Sequence, residues 1–246
     1  MLKAVTFDLW QTLIQDTPEG LRRARAGRVR GVHEVLARHG MGVDLSRVEE
    51  AYDRVGDRME SLWASQQDVG SRGQVRWLLE AVGLESQVPS QGTVLDELDD
   101  AYCLPILSAL PVTNEGAAEI LETLSRRGLR LALICNTGRT PGRMLRLVLD
   151  RLALAPYLLV LTFSDEVGLR KPHPEIFRRT LSALGVASEE AAHIGDDITT
   201  DVAGARGIGM RAVHLRPAMG VGRDGGNTEA IPGLHALPAA LFPPSS

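Results

Sequence analysis

From Pro111 onward the chain alternates short apolar strands with amphipathic helices, and this alternation limits most sharply what it can fold into. A helix over 114–127 stops at Gly128, where glycine supplies the left-handed turn that ends a helix. Strand Leu129–Cys135, helix 140–153, strand Leu158–Phe163 and helix 174–184, closed by Gly185, come next. Strand Ala191–Ile194, helix 198–206 and strand Met210–Leu215 complete the series. One more short apolar strand opens the chain at residues 3–8. Apolar strands separated by helices predict an α/β fold, a Rossmann-like parallel sheet core covered on both faces. Residues 217–246, rich in Gly and Pro, predict a loose tail with one short helix.

Between the opening strand and Pro111 the rhythm is helical. Asp16-Thr17-Pro18-Glu19 reads as a helix start, with a capping residue, Pro in the first turn and an early acid. Val29, Val32, Val35 and Leu36 share one face of that helix. A second helix is expected from Leu45 to about Trp63, and a third, capped by Ser71, carries Val75, Leu78, Leu79 and Val82. A fourth runs from about Thr93 to Leu110, and no strand is expected in the block. Residues 16–108 therefore read as an α-helical cap subdomain inserted into a core made of 1–15 and 109–246. Arg22, Arg23, Arg25, Arg28 and Arg30 read as the solvated face of the first cap helix, from which some side chains could meet an anionic substrate.

Candidate chemistry gathers at three places. The opening strand ends in Asp8, where open α/β sheets bind ligands. A carboxylate there is ionised at neutral pH and can serve as nucleophile or metal ligand. Gly195-Asp196-Asp197 places two acids side by side, and they repel unless a cation or donor neutralises them. Helix capping accounts for one of them but not for the pair. Hard carboxylate oxygens suit Mg²⁺, which commonly binds one or two carboxylates together with substrate phosphate. The third place is Lys171, in Arg170-Lys171-Pro172-His173-Pro174. The chain has 27 basic residues and only two are lysines, so a lysine in this setting stands out.

In this order the motifs resemble the phosphatase-type motifs of the haloacid dehalogenase superfamily, and the resemblance covers nearly the whole chain. It implies that Asp8 is the nucleophile and that Lys171 offsets charge on the transferred group. It also implies that Mg²⁺ is held by Asp8, the backbone carbonyl of Trp10 and Asp196, with Asp197 a third or water-mediated ligand. Asp201 is expected to orient Lys171 or cap a turn. Trp10, Cys135, Asn136 and Thr137 are the candidates for holding substrate and phosphate. Two positions depart from the pattern. Trp10 stands where phosphatases carry an acid/base Asp, and Cys135, a weak donor, stands where they carry Ser or Thr.

The function this implies is Mg²⁺-dependent hydrolysis of a small phosphorylated metabolite through an aspartyl-phosphate at Asp8. Trp10 keeps two alternatives open. One is a 2-haloacid dehalogenase, whose relatives carry an aromatic Tyr at that position and form an aspartyl ester. The other is a catalytically impaired binding protein. Phosphonate cleavage by a Schiff base needs a cap lysine, and residues 16–108 contain none.

Composition narrows the partners. The net charge is −4 with no dominant block of either sign, which argues against a nucleic-acid binder. No segment reaches membrane-spanning length. Cys103 and Cys135 lie far apart and form no CxxC pair, as expected in a reducing, cytoplasmic setting. The expected partner is a small anionic substrate, and the expected assembly a monomer or homodimer.

Overall fold

A computed structural model describes residues 1–216, 222–224 and 228–243. The chain opens on β1 (Ala4–Phe7), whose four residues are all buried. Past Asp8 it turns sharply into β2 (Ile14–Gln15). Four helices follow: α1 (Pro18–Arg38), α2 (Leu45–Trp63), α3 (Ser71–Val82) and α4 (Thr93–Cys103). β3 (Val112–Thr113) then returns the chain and pairs antiparallel with β2, so a two-stranded ribbon stands at both ends of the helical block. Strands this short show no period-2 pattern, which is why the sequence does not predict them.

α1 begins as the sequence predicts. The Thr17 hydroxyl accepts from the Gly20 amide at 3.0 Å, Pro18 is the first helical residue and Glu19 lies in the first turn. Val29, Val32, Val35 and Leu36 are buried, and each such side chain contributes about 1.5–3 kcal/mol. Two expectations are corrected. Gly70, not Ser71, holds the cap position of α3, and Ser71 is its first residue. α4 stops at Cys103, and the chain tightens into a 3₁₀ turn over Leu104–Ser108, since Pro105 lacks the amide that would continue the helix.

The core continues with α5 (Ala117–Arg126), β4 (Arg130–Cys135), α6 (Gly142–Arg151), β5 (Val160–Phe163) and the single turn α7 (Ser164–Val167). After these come α8 (Pro174–Leu184), β6 (Ala191–Gly195), α9 (Gly204–Arg206) and β7 (Arg211–Leu215). The expected helix over 198–206 is a π-helical turn, Ile198–Ala203, running into α9. Within β4 the two faces divide. Leu131, Leu133 and Cys135 pack with α5 and α6, while Ala132 and Ile134 pack with Ile176, Phe177 and Leu181 of α8. The sheet is therefore covered on both sides.

The tail differs from the expectation. Gly222–Asp224 (β8) and Thr228–Ile231 (β9) extend the sheet, and α10 (Leu237–Leu241) follows. Residues 217–221, 225–227 and 244–246 of that tail lie outside the described residues. The sheet order is β5-β4-β1-β6-β7-β9-β8, parallel except for β8. β1 lies between β4 and β6, so the crevice where the strand order reverses opens beside Asp8. Among the described residues no helix is long and apolar enough to cross a membrane.

Candidate active site

β1 and β6 end side by side, and the Asp8 amide donates to the Ile194 carbonyl at 2.8 Å. The loop before α8 reaches across them. It brings Lys171 Nζ to 2.6 Å from Asp8 Oδ1 and 2.6 Å from Asp201 Oδ1. An ammonium has three donors, so one N–H of Lys171 is left over. The loop is held in turn by Asn136, whose Oδ1 accepts from the Lys171 amide at 2.8 Å and whose Nδ2 donates to the Lys171 carbonyl at 3.0 Å. Asn136, a candidate phosphate ligand, thus also positions Lys171.

Asp201 is fixed from three sides. Besides Lys171, His193 Nε2 lies 3.1 Å from its Oδ1, and the Asp197 amide donates to its Oδ2 at 3.1 Å. A carboxylate only accepts, so His193 Nε2 carries the proton. Burial lowers the His193 pKa and keeps the ring neutral, so Nδ1 accepts from the Thr6 hydroxyl at 2.7 Å. Gly195 makes this packing possible, because a Cβ there would stand 2.2 Å from Asp201 Cγ. His193 is a residue the sequence reading missed. The available signal was a lone polar side chain inside the apolar run Ala191–Ile194.

The electrostatics follow from burial. Desolvation pushes the Asp8 carboxyl up to about 7, Lys171 pulls it back, and Asp201 and Asp196 add upward pressure. Burial also raises Asp196, with Asp201 adding to it. Burial opposes the charge on Lys171, yet Asp201 and Asp8 more than offset it and hold its pKa above the ordinary lysine value. Burial would likewise raise Asp201, but Lys171 and His193 hold it below the usual carboxylate range.

Asp8, Asp196 and Asp201 each offer an oxygen within 4.8 Å of the others. Two of the three, Asp8 and Asp196, are carboxylates raised by burial and by neighbouring acids, Asp201 acting on both. This hard-oxygen set fits a divalent cation such as Mg²⁺. Asp197, expected as a third or water-mediated ligand, lies outside this cluster: its Oδ1 caps the π-helical turn and accepts from the Thr199 and Thr200 amides at 2.8 and 2.7 Å. One acid of the pair is therefore a cap after all, and Asp201 takes its place in the cluster.

A cleft of about 220 Å³ is lined by Trp10, Asn136, Thr137 and Gly138 from the loops at the ends of β1 and β4 and by Asp16 and Arg28 from before and within α1. Cys135 is also corrected. It does not line the cleft and is fully buried on the α5/α6 side of the sheet, with its thiol pKa well raised by desolvation and then by Asp8. Arg28, expected on a solvated face, is buried instead. Thr137 does line the cleft, but its hydroxyl donates to Asp68 Oδ2 at 3.2 Å and its amide to Ser164 Oγ at 2.7 Å. Asp68 comes from the cap, between α2 and α3. Its carboxylate also accepts from Ser164 Oγ and, at 2.6 Å, from Arg170. The sequence reading missed Asp68, Ser164 and Arg170, and a contact across about a hundred residues leaves no local signal.

Comparison with known proteins agrees with this geometry. The chain matches the haloacid dehalogenase-like hydrolase family over residues 2–209, and it belongs to that family. A phosphoserine phosphatase of Thermus thermophilus is 35% identical over 227 residues, covering 87% of this chain and 88% of its own. A glyceraldehyde 3-phosphate phosphatase of Pyrococcus abyssi is 32% identical, covering 88% of this chain and 82% of its own. Among solved structures, a 2-haloacid dehalogenase from Pseudomonas syringae pv. Tomato DC3000 superposes with a TM-score of 0.68 at 25% identity, covering 98% of each chain.

Proposed function

We propose that the protein is a Mg²⁺-dependent phosphatase that hydrolyses a small, anionic phosphorylated metabolite through an aspartyl-phosphate at Asp8. The observation that carries this reading is the buried cluster of Asp8, Asp196 and Asp201 with Lys171 between two of its members. The phosphatases among the relatives support it, though they act on different substrates. The two buried free thiols suit a reducing, cytoplasmic setting. Asp8, Asp196 and the backbone carbonyl of Trp10 would hold the ion, which offsets phosphoryl charge when bound.

With Oδ1 of Asp8 held by Lys171, Oδ2 is the oxygen left to attack phosphorus. The phosphorus–oxygen bond to the leaving group breaks, and its electron pair departs on the leaving oxygen. Trp10 has no proton to give, so that oxygen is protonated from solvent or from the substrate itself. Water then attacks phosphorus, the Asp8–phosphorus bond breaks, and phosphate leaves with the carboxylate restored. Lys171 stabilises charge on the transferred group through its remaining N–H. Acetyl phosphate, whose leaving group needs no acid, is the substrate of choice for the test. Asp8→Asn abolishes its hydrolysis, and EDTA does so reversibly.

A second reading rests on Trp10 and on the dehalogenase neighbour. Under it, Asp8 attacks carbon and halide leaves without protonation. Chloride release from 2-chloropropionate in the presence of EDTA, together with full indifference to Mg²⁺, would establish it in place of the first.

A further inference from the structure

Asn136 clamps the backbone of Lys171, and residues 138–140, just past it, are gripped by all four helices of the block between β2 and β3. The Gly138 carbonyl accepts from Gln74 Nε2 of α3 at 3.0 Å. Arg139 reaches between α2 and α4, where Nη1 donates to the Tyr102 hydroxyl and Nη2 to the Tyr52 carbonyl, both at 2.9 Å. The Thr140 hydroxyl accepts from Arg28 Nη2 of α1 at 2.8 Å. A loop at a strand end is ordinarily the mobile part of such a fold. Here every residue from Asn136 to Thr140 is bonded to another segment.

The bonds at Gly138 and Arg139 form one circuit. Arg139 donates to the Tyr102 hydroxyl, that hydroxyl donates to Gln74 Oε1 at 2.9 Å, and Gln74 donates back to the Gly138 carbonyl. Tyr102 and Gln74 are buried. The guanidinium also lies over the Tyr52 ring, 3.7 Å from its centroid. A planar fork can hold two acceptors and stack on a ring at once, which a lysine ammonium cannot do. A Cβ at Gly56 would stand 2.6 Å from Nη2, so the slot fits the guanidinium only while position 56 is glycine. Gly138 and Thr140 line the cleft, whereas Arg139 between them does not.

We infer that Arg139 is a positioning residue. Anchored between α2 and α4, it fixes the loop whose first residue, Asn136, holds both the amide and the carbonyl of Lys171, and so keeps Lys171 Nζ on Asp8. This rests on the phosphatase reading of the Asp8 site. Arg139 acts through the loop and not on substrate. An ångström of slack at the loop would reach the lysine undamped, because Asn136 grips it by both backbone groups.

The test uses the whole protein, Mg²⁺ and acetyl phosphate. Arg139→Met is expected to lower kcat roughly ten- to hundred-fold while KM moves less, since an ångström of misplacement can cost about that much. Gly56→Ala, which pushes on the guanidinium from α2, is expected to lower kcat in the same direction. Arg143→Met is the control. It removes the ion pairs to Asp99 and Asp100 of α4 at 2.9 and 3.2 Å, and is expected to lower Tm without lowering kcat. The strongest comparison is Arg139→Met/Lys171→Met. If Arg139 acts through Lys171, the double variant turns over no more slowly than Lys171→Met alone. Losses that multiply, or an equal loss of kcat in Arg143→Met, overturn the inference.

A second readout needs no turnover. The chain has two lysines, so ¹⁵N-lysine labelling gives two backbone amide signals. The Lys171 amide donates to Asn136 Oδ1 at 2.8 Å, and the Lys3 amide to the Glu190 carbonyl at 2.7 Å. Arg139→Met is expected to shift the Lys171 signal and speed its hydrogen exchange, with Lys3 unchanged. A Lys171 signal that stays in place, or equal changes at both lysines, overturns the inference. If the wild type does not hydrolyse acetyl phosphate, the phosphatase reading fails, and the amide signals alone decide whether Arg139 positions Lys171.

Discussion

The carboxylate of Asp68, from the cap, lies 2.6 Å from the guanidinium of Arg170, the residue before Lys171. Their side chains are 0% and 11% exposed, so this is a buried ion pair joining the cap to the lysine loop. The Trp63 ring lies 4.1 Å from the same guanidinium, and the backbone bonds from Asp68 N to the Gly168 carbonyl and from Arg170 N to the Gln66 carbonyl lace the two segments together.

Breaking such a pair from one side leaves a buried charge uncompensated, at a cost of roughly 3–5 kcal/mol. For a chain of this size, Asp68→Ala is expected to lower Tm by roughly 10 °C. The double variant Asp68→Ala/Arg170→Met is expected to lose markedly less than the sum of the two single changes. Differential scanning calorimetry of the four proteins measures this, and strict additivity would show that the contact carries no coupling.

Trp10→Asp places an acid where the superfamily resemblance implies one. Acid assistance is worth about 10²–10⁴-fold. The gain is expected for glycerol 3-phosphate, whose alkoxide needs a proton, and not for acetyl phosphate, whose leaving group does not. Steady-state kinetics on the two substrates separates them. Equal gains on both would mean that Trp10 limits access rather than proton supply.

Lys171→Met keeps length and removes charge. Losing one preorganised electrostatic contact costs about 10²–10³-fold in kcat. That loss is expected on acetyl phosphate, with KM moving less and circular dichroism unchanged. A loss below about tenfold would remove Lys171 from the chemistry.

Asp165 offers a pH test away from the acidic cluster. Burial pushes its carboxyl from 3.8 up to about 6, although the Gly142 amide, 3.1 Å from its Oδ1, works in the opposite direction. The folded protein therefore holds this proton more tightly than the unfolded chain does. The contribution is fully present below 3.8 and is lost as pH rises through about 6. Relative to Asp165→Asn, the wild type is expected to lose stability between about pH 4 and pH 7. Urea midpoints across that range measure the difference, and parallel curves would contradict it.

The sheet and the helices α1 to α4 were legible in the sequence because both are periodic. Val5 and Phe7, the alternation within β4 and the apolar face of α1 announce themselves within a few residues. Asp8 and Lys171 were legible because a strand end and a rare lysine mark them. What stayed hidden depends on contacts across the chain. β2 and β3 need each other to exist, and β8 and β9 lie in a stretch too rich in glycine to show a period. Asp196 and Asp197 look equivalent as letters, yet one turn of backbone sends the first toward Asp8 and the second to its own cap. Arg28 was hidden among four other arginines, although its spacing from Ala24 and Val32, four residues each way, places it on the buried stripe of α1.

The most direct measurement is acid-quenched single turnover with acetyl phosphate, followed by mass spectrometry of the peptide containing Asp8. The expected result is a phosphoryl group on Asp8 that forms with Mg²⁺ and is absent with EDTA and in Asp8→Asn. Turnover with the phosphoryl group on another residue, or ¹⁸O from water entering the Asp8 carboxylate during dehalogenation, would contradict it.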